Sequence, residues 1–116
     1  MWLPMRAEEL KGHLDGLLLA ALEDGPRHGY AVRETLREDT GGAFDLPTGT
    51  IYPALRRLER AGLITGDWTM SAGRRRRVYR LTASGRRALA DQRGNWSRFS
   101  AAVSTALKVQ PWPATP

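Results

Sequence analysis

Thr48-Gly49-Thr50-Ile51-Tyr52-Pro53-Ala54-Leu55-Arg56-Arg57-Leu58-Glu59-Arg60-Ala61-Gly62-Leu63-Ile64 is the stretch that decides the fold. Ile51, Leu55 and Leu58 recur at three-and-four spacing, which predicts a helix burying one face. Thr50, Tyr52, Arg56, Arg57 and Arg60 then fall on the opposite side. Pro53 lies about one turn in, where its missing N–H costs least. Gly62 is the expected left-handed cap at the C-terminal end. The result is a helix with hydroxyls at its start and guanidinium groups along its outer face.

Downstream, residues 63–70 read as a strand and Ser71-Ala72-Gly73 as a turn, with residues 75–81 returning. Arg74, Arg75, Arg76 and Arg77 occupy the tip of that hairpin. Alternation along a strand puts Arg75 and Arg77 on one face and Arg74 and Arg76 on the other. Upstream, Leu10, Leu14, Leu17, Leu18, Ala21 and Leu22 mark an amphipathic helix that Asp24-Gly25-Pro26 ends. A second helix is expected over residues 28–38, with Ala31, Val32, Thr35 and Leu36 inward. Thr82 is placed to cap a last, long helix. Leu89, Gln92, Trp96, Phe99, Val103 and Ala106 form a coiled-coil-like seam on it, with no later element to cover them. A second copy of the chain is the simplest cover, through Leu89, Trp96, Phe99 and Val103.

These elements predict a mainly α fold with a small β-hairpin wing. Residues 8–82 form a winged helix-turn-helix domain, residues 83–108 a C-terminal dimerisation helix, and residues 109–116 a disordered tail rich in Pro.

Charge agrees with the pattern. The 116 residues carry a net charge of +6. Residues 1–55 hold five Lys or Arg against nine acids, giving −4, whereas residues 56–98 hold twelve Arg against three acids, giving +9. Such a concentrated excess favours a polyanionic partner. Cysteine is absent, which excludes disulfides, thiol nucleophiles and thiolate metal sites. His13 and His28 have no partners at ligand spacing, so no metal is expected, and no cofactor. No catalytic constellation is present, so an enzyme is not expected. No apolar run is long enough for a bilayer and no secretion signal opens the chain, so a soluble cytoplasmic protein is expected.

The pattern from Leu14 to Leu107 resembles the PadR family of bacterial transcription regulators. Leu17-Leu18-Leu19 to Gly25, His28-Gly29-Tyr30, residues 49–59 from Gly49 to Glu59, and residues 73–82 from Gly73 to Thr82 carry the resemblance. The single final helix is similar to the small subfamily, in which that helix forms the dimer interface. The resemblance implies a homodimeric winged-helix protein that binds inverted-repeat operators in double-stranded DNA, most often as a repressor relieved by a small molecule. Thr48, Thr50 and Tyr52 would approach DNA at the start of the third helix. Arg56 would read a guanine, and Arg57, Arg60 and Arg74 to Arg77 would reach phosphates or the minor groove. Asn95-Trp96-Ser97-Arg98 looks like the segment whose Trp, in some small PadR-like regulators, lines a central pore and stacks on flat aromatic ligands. Trp96, with Asp15 as counter-charge and Gly16 as open volume, is the corresponding candidate here; Trp96 as plain interface core is the alternative.

Two other readings suit a winged helix. A protein–protein adaptor would bind DNA weakly and lose it at modest salt. A sequence-independent DNA-binding protein would keep a steep salt dependence but show no preferred site.

Overall fold

The computed structural model describes residue 10 and residues 12–110. The elements are α1 (Leu14–Ala21), β1 (Arg27–His28), α2 (Gly29–Asp39), α3 (Thr48–Arg60), β2 (Ile64–Ser71), β3 (Arg74–Leu81) and α4 (Ala83–Leu107). The three strands form one antiparallel sheet in the order β1-β3-β2. This is the expected winged-helix arrangement with a long final helix. The expected tail beyond residue 110 lies outside the described residues.

One apolar core joins all the helices to the base of the sheet. Leu18 and Leu22 from the first segment meet Val32 and Leu36 of α2, and Ile51, Leu55 and Leu58 of α3. Ile64, Tyr79, Leu81 and Leu89 close it from the hairpin and α4. The three inward positions of α3 are at most 1 % exposed, so the helix cannot rotate without exposing that stripe. Its entry is pinned as well. Arg33 donates from Nε to the Leu46 carbonyl (2.6 Å) and from Nη2 to Asp45 (3.0 Å), tying α2 to the segment leading into α3.

Several boundaries differ from expectation for local reasons. Leu10 is buried but precedes α1, because Gly12 takes a left-handed φ of +88° that interrupts the helix. β1 was not anticipated; it is only two residues long, too short for any periodicity, and pairs Arg27 with Tyr79 and His28 with Val78. The hairpin turn is tighter than expected. Only Ala72 (φ +51°) and Gly73 (φ +76°) are outside the strands, the two-left-handed-residue geometry that matches the twist of a β-ribbon. Pro53 sits at the sixth residue of α3, deeper than the positions whose N–H groups are free in any case.

The junction between hairpin and α4 has no slack. Thr82 caps α4 by accepting from Gly85 N (3.0 Å) and donates its own hydroxyl to the Gly62 carbonyl (2.7 Å). A Cβ on Gly85 would lie 2.0 Å from the Leu63 carbonyl oxygen. At an open helical position Gly→Ala stabilises by about 1 kcal/mol. Here Gly85→Ala is expected instead to destabilise by about 1–3 kcal/mol, because backbone must move. Chemical denaturation reads the sign directly, and a stabilised variant would contradict this packing.

The first half of the expected dimer seam is covered by the chain's own α1. Leu89 is 4 % exposed within its own subunit and is a core residue, not an available dimer contact. Gln92 fills the space left by Gly16, whose absent Cβ would lie 2.3 Å from the Gln92 side chain, and its Nε2 donates to the Gly12 carbonyl (3.3 Å). Gly16 therefore provides a helix contact and no open volume. Arg93 holds Glu23 with both guanidinium nitrogens (2.8 and 2.7 Å). From Trp96 onward α4 is more open: Trp96 is 53 % and Phe99 56 % exposed, Val103 is half-buried, and Leu107 and Val109 are exposed.

Candidate nucleic-acid interface

The outer face of α3 carries Thr48, Tyr52, Arg56 and Arg60 at steps of four residues, one row along the helix. All four are exposed, and Thr50 is half-buried beside them. Pro47 is the N-cap and supplies no side-chain cap bond, while its carbonyl already accepts from Thr50 and Ile51. The N–H groups of Thr48 and Gly49 are thus left for an outside acceptor at the positive end of the helix. Tyr52 lies over Gly29, where a Cβ would come within 2.6 Å of its ring. That contact steadies the start of α3 against α2.

The expected cations are not equivalent. Arg56 and Arg60 make no side-chain hydrogen bond or ion pair among the described residues, so Arg56 keeps its whole donor fork for a ligand. Arg57 is engaged by the Asp15 carboxylate of α1. Both side chains are about half exposed, so the pair contributes little and can open to a phosphate. In the free chain Asp15 is paired with Arg57, so service as counter-charge for a ligand would require that pair to open.

On the hairpin, Arg74 has no side-chain partner among the described residues and stands at the turn. Arg75 stacks over the Trp68 ring with its guanidinium carbon 4.6 Å from the centroid. Arg76 turns to the other face, where Nη1 lies 3.0 Å from His28 Nε2. Arg77 also lies against Trp68 (5.4 Å) and donates to the Glu59 carboxylate of α3. Glu59 pushes the guanidinium pKa still higher, chiefly through that hydrogen bond.

Between the start of α2, the outer face of α3 and the hairpin lies an open cleft of about 760 Å³. Its walls include His28, Tyr30, Tyr52, Arg56, Trp68 and the four hairpin arginines, together with Glu59. Tyr30 is 51 % exposed on this wall, and the Arg33 guanidinium rests 5.7 Å from its ring centre. A concave surface lined by arginines and aromatic rings suits a phosphate-bearing polymer with flat bases.

His28 connects the hairpin to α2. Its Nδ1 accepts from Ala31 N (3.3 Å) as the N-cap of α2. Both ring nitrogens therefore face donors, and an imidazolium, with two N–H groups, would suit neither. Its pKa is lowered, first by burial and then by the charge of Arg76. The sign follows: both folded and unfolded chains hold a neutral His28 above about pH 6.5. As pH falls from there through the lowered folded value, only the unfolded chain gains the proton readily, so stability is lost. The melting temperature is expected to decline over that interval, and His28→Asn, a neutral N-cap, to flatten the decline. An unaltered pH slope in the variant would contradict this role.

Trp96 meets the His13 ring edge-on (5.3 Å between centroids) and lies 6.0 Å from Phe99. The three rings form an exposed aromatic group where α1 meets α4. Sequence reasoning missed His13 here, as it missed Glu59, Trp68 and Tyr30 at the cleft. With the loop at Ala72-Gly73, counting back opposes Trp68 to Arg77 and Met70 to Arg75, so the first of these contacts was recoverable. Among the described residues no cluster of His, Cys, Asp or Glu could hold a metal ion, and no helix is long and apolar enough to cross a membrane.

Comparison with known proteins adds independent evidence. Residues 18–91 match the model of the Transcriptional regulator PadR-like family. A Mycobacterium tuberculosis protein described as a transcriptional regulator is 42 % identical over 67 residues, covering 58 % of this chain and 50 % of that one. A PadR family transcriptional regulator from Eggerthella lenta superposes with a TM-score of 0.76 at 31 % identity, covering 89 % of this chain and 88 % of its own. Bacillus subtilis PadR, solved in complex with operator DNA, superposes with a TM-score of 0.63 at 27 % identity, over 89 % of this chain and 51 % of that chain.

Proposed function

The chain belongs to the PadR-like family of transcriptional regulators, and from that premise we propose that it binds an inverted-repeat operator as a homodimer and represses transcription in the cytoplasm. Membership makes it a regulator and not an enzyme. The observation that carries the DNA reading is Arg56, exposed and without a side-chain partner among the described residues, set beside a cationic hairpin across an open cleft. In this reading α3 enters the major groove. Thr48, Thr50 and the N–H groups of Thr48 and Gly49 approach the backbone, Tyr52 and Arg56 meet base edges, and Arg60 takes a phosphate. Arg57 joins when Asp15 releases it. Arg74, Arg75 and Arg76 offer charge to the flanking phosphates or minor groove, with Arg77 alongside them.

Trp96, Phe99 and Val103 supply the dimer contact, since two large aromatic residues half exposed on one helix face call for a cover. A flat aromatic effector stacking on Trp96 between two subunits would alter the spacing of the paired α3 helices and so trade operator affinity for ligand binding. Asp15 would serve as counter-charge to a cationic effector only on leaving Arg57.

Fluorescence anisotropy with a labelled duplex from the region upstream of the protein's own gene, against a shuffled duplex, tests the reading. A preference of about a thousandfold or more is expected for specific binding. Equal affinities would favour sequence-independent binding, and loss of all binding at moderate salt would favour an adaptor.

A further inference from the structure

Arg77 is half-buried, and its guanidinium is held from several sides by its own protein. Glu59 of α3 accepts from its Nη2, Trp68 lies against it at 5.4 Å, and the bare backbone of Gly66 makes room for it. A Cβ at Gly66 would lie 2.7 Å from Arg77 Nε, so the notch has the shape of this side chain. Arg77 and Glu59 are 30 % and 27 % exposed, a half-buried ion pair that joins the hairpin to α3 beside the cleft. The buried Tyr79 ring closes the same corner.

We propose that Glu59 and Arg77, with Trp68 against the guanidinium, form a clasp that fixes the hairpin to the DNA-facing helix, so that Arg77 is a positioning residue and Glu59 promotes DNA binding in spite of its negative charge. At its base the hairpin shares the apolar core with α3 through Ile64 and Tyr79. Beyond that base, the clasp sets the distance between Arg56 on α3 and Arg74 and Arg75 near the turn. Arg75 rides on the same Trp68 ring, so its position is inherited from the clasp.

This inference rests on the DNA-binding reading above but makes a prediction of opposite sign to simple electrostatics. Removing a carboxylate from a phosphate-binding surface should by charge alone strengthen binding. With the clasp, Glu59→Gln weakens binding about tenfold, the scale of one lost charge-assisted hydrogen bond. Arg77→Lys tests the other side, since it keeps the charge but loses the flat fork that stacks and pairs. It should weaken binding as much as Arg77→Gln, and neither should change the salt slope, whereas each true phosphate contact removed lowers that slope by about one.

The experiment has two readouts on the intact chain. Hydrogen exchange on the free protein follows the amides of residues 66–77, which should exchange faster in Glu59→Gln while the amides of α2 and the rest of the core do not. Anisotropy against a duplex then measures affinity and its salt dependence for all three variants. Unchanged exchange, or tighter binding by Glu59→Gln, or a salt slope lowered by Arg77→Gln, would overturn the clasp even while the parent protein binds DNA. A parent protein that binds no duplex would overturn the DNA-binding reading, and with it the claim that the clasp serves DNA.

Discussion

Replacing Trp96 and Phe99 together by Asp is expected to leave a folded monomer that has lost about a hundredfold or more of its affinity for operator DNA. Both side chains are more than half exposed in the single subunit, so their removal takes little from its core. Among the described residues their ring partners are each other and His13. Leu89, Gln92 and Arg93 hold α4 to the rest of the chain and are untouched. The loss comes from linkage: with one half-site occupied, a tethered second reading helix binds at high effective concentration, and a monomer forfeits that gain. Light scattering should show half the parent mass, with circular dichroism unchanged. A variant that remains dimeric, or a monomer that binds as tightly as the parent, would refute the role given to this face.

Arg56→Ala is expected to relax the preference at one base position by about 1–3 kcal/mol while leaving the other positions of the site alone. The prediction depends on Arg56 having its fork free, unlike Arg57 with Asp15 and Arg77 with Glu59. Arg74→Ala is the control. It should weaken every sequence alike and lower the salt slope by about one, because a phosphate contact carries no base information. Competition among operators altered one position at a time separates the two outcomes. If Arg56→Ala weakens all of them by the same factor, Arg56 contacts the backbone and the reading of bases must be assigned elsewhere.

Much of this was legible in the residues themselves. Ile51, Leu55 and Leu58 have one helical face between them, so the outward direction of Arg56 and Arg60 followed without coordinates. Gly62 is left-handed and Thr82 caps α4 as their types suggest, because both signals are local. What stayed hidden depends on contacts distant in sequence. Asp15 and Arg57 are 42 residues apart, His28 and Arg76 are 48, and Glu59 and Arg77 are 18. An uninterrupted run of four arginines gives no sign that one is enclosed, one rests on a histidine and one lies over a tryptophan. Leu89 misled for a related reason: the stripe on α4 is continuous, yet α1 covers its first part and leaves only the rest for a partner. His28 and β1 depend on β3 arriving alongside, which two residues cannot announce.

The most direct measurement is selection of bound duplexes from a fully randomised pool by the purified chain, followed by sequencing. The enriched site is expected to be an inverted repeat whose halves are centred about one helical turn apart, as two symmetry-related α3 helices require. A single half-site without symmetry, or no enriched sequence at all, would contradict the account.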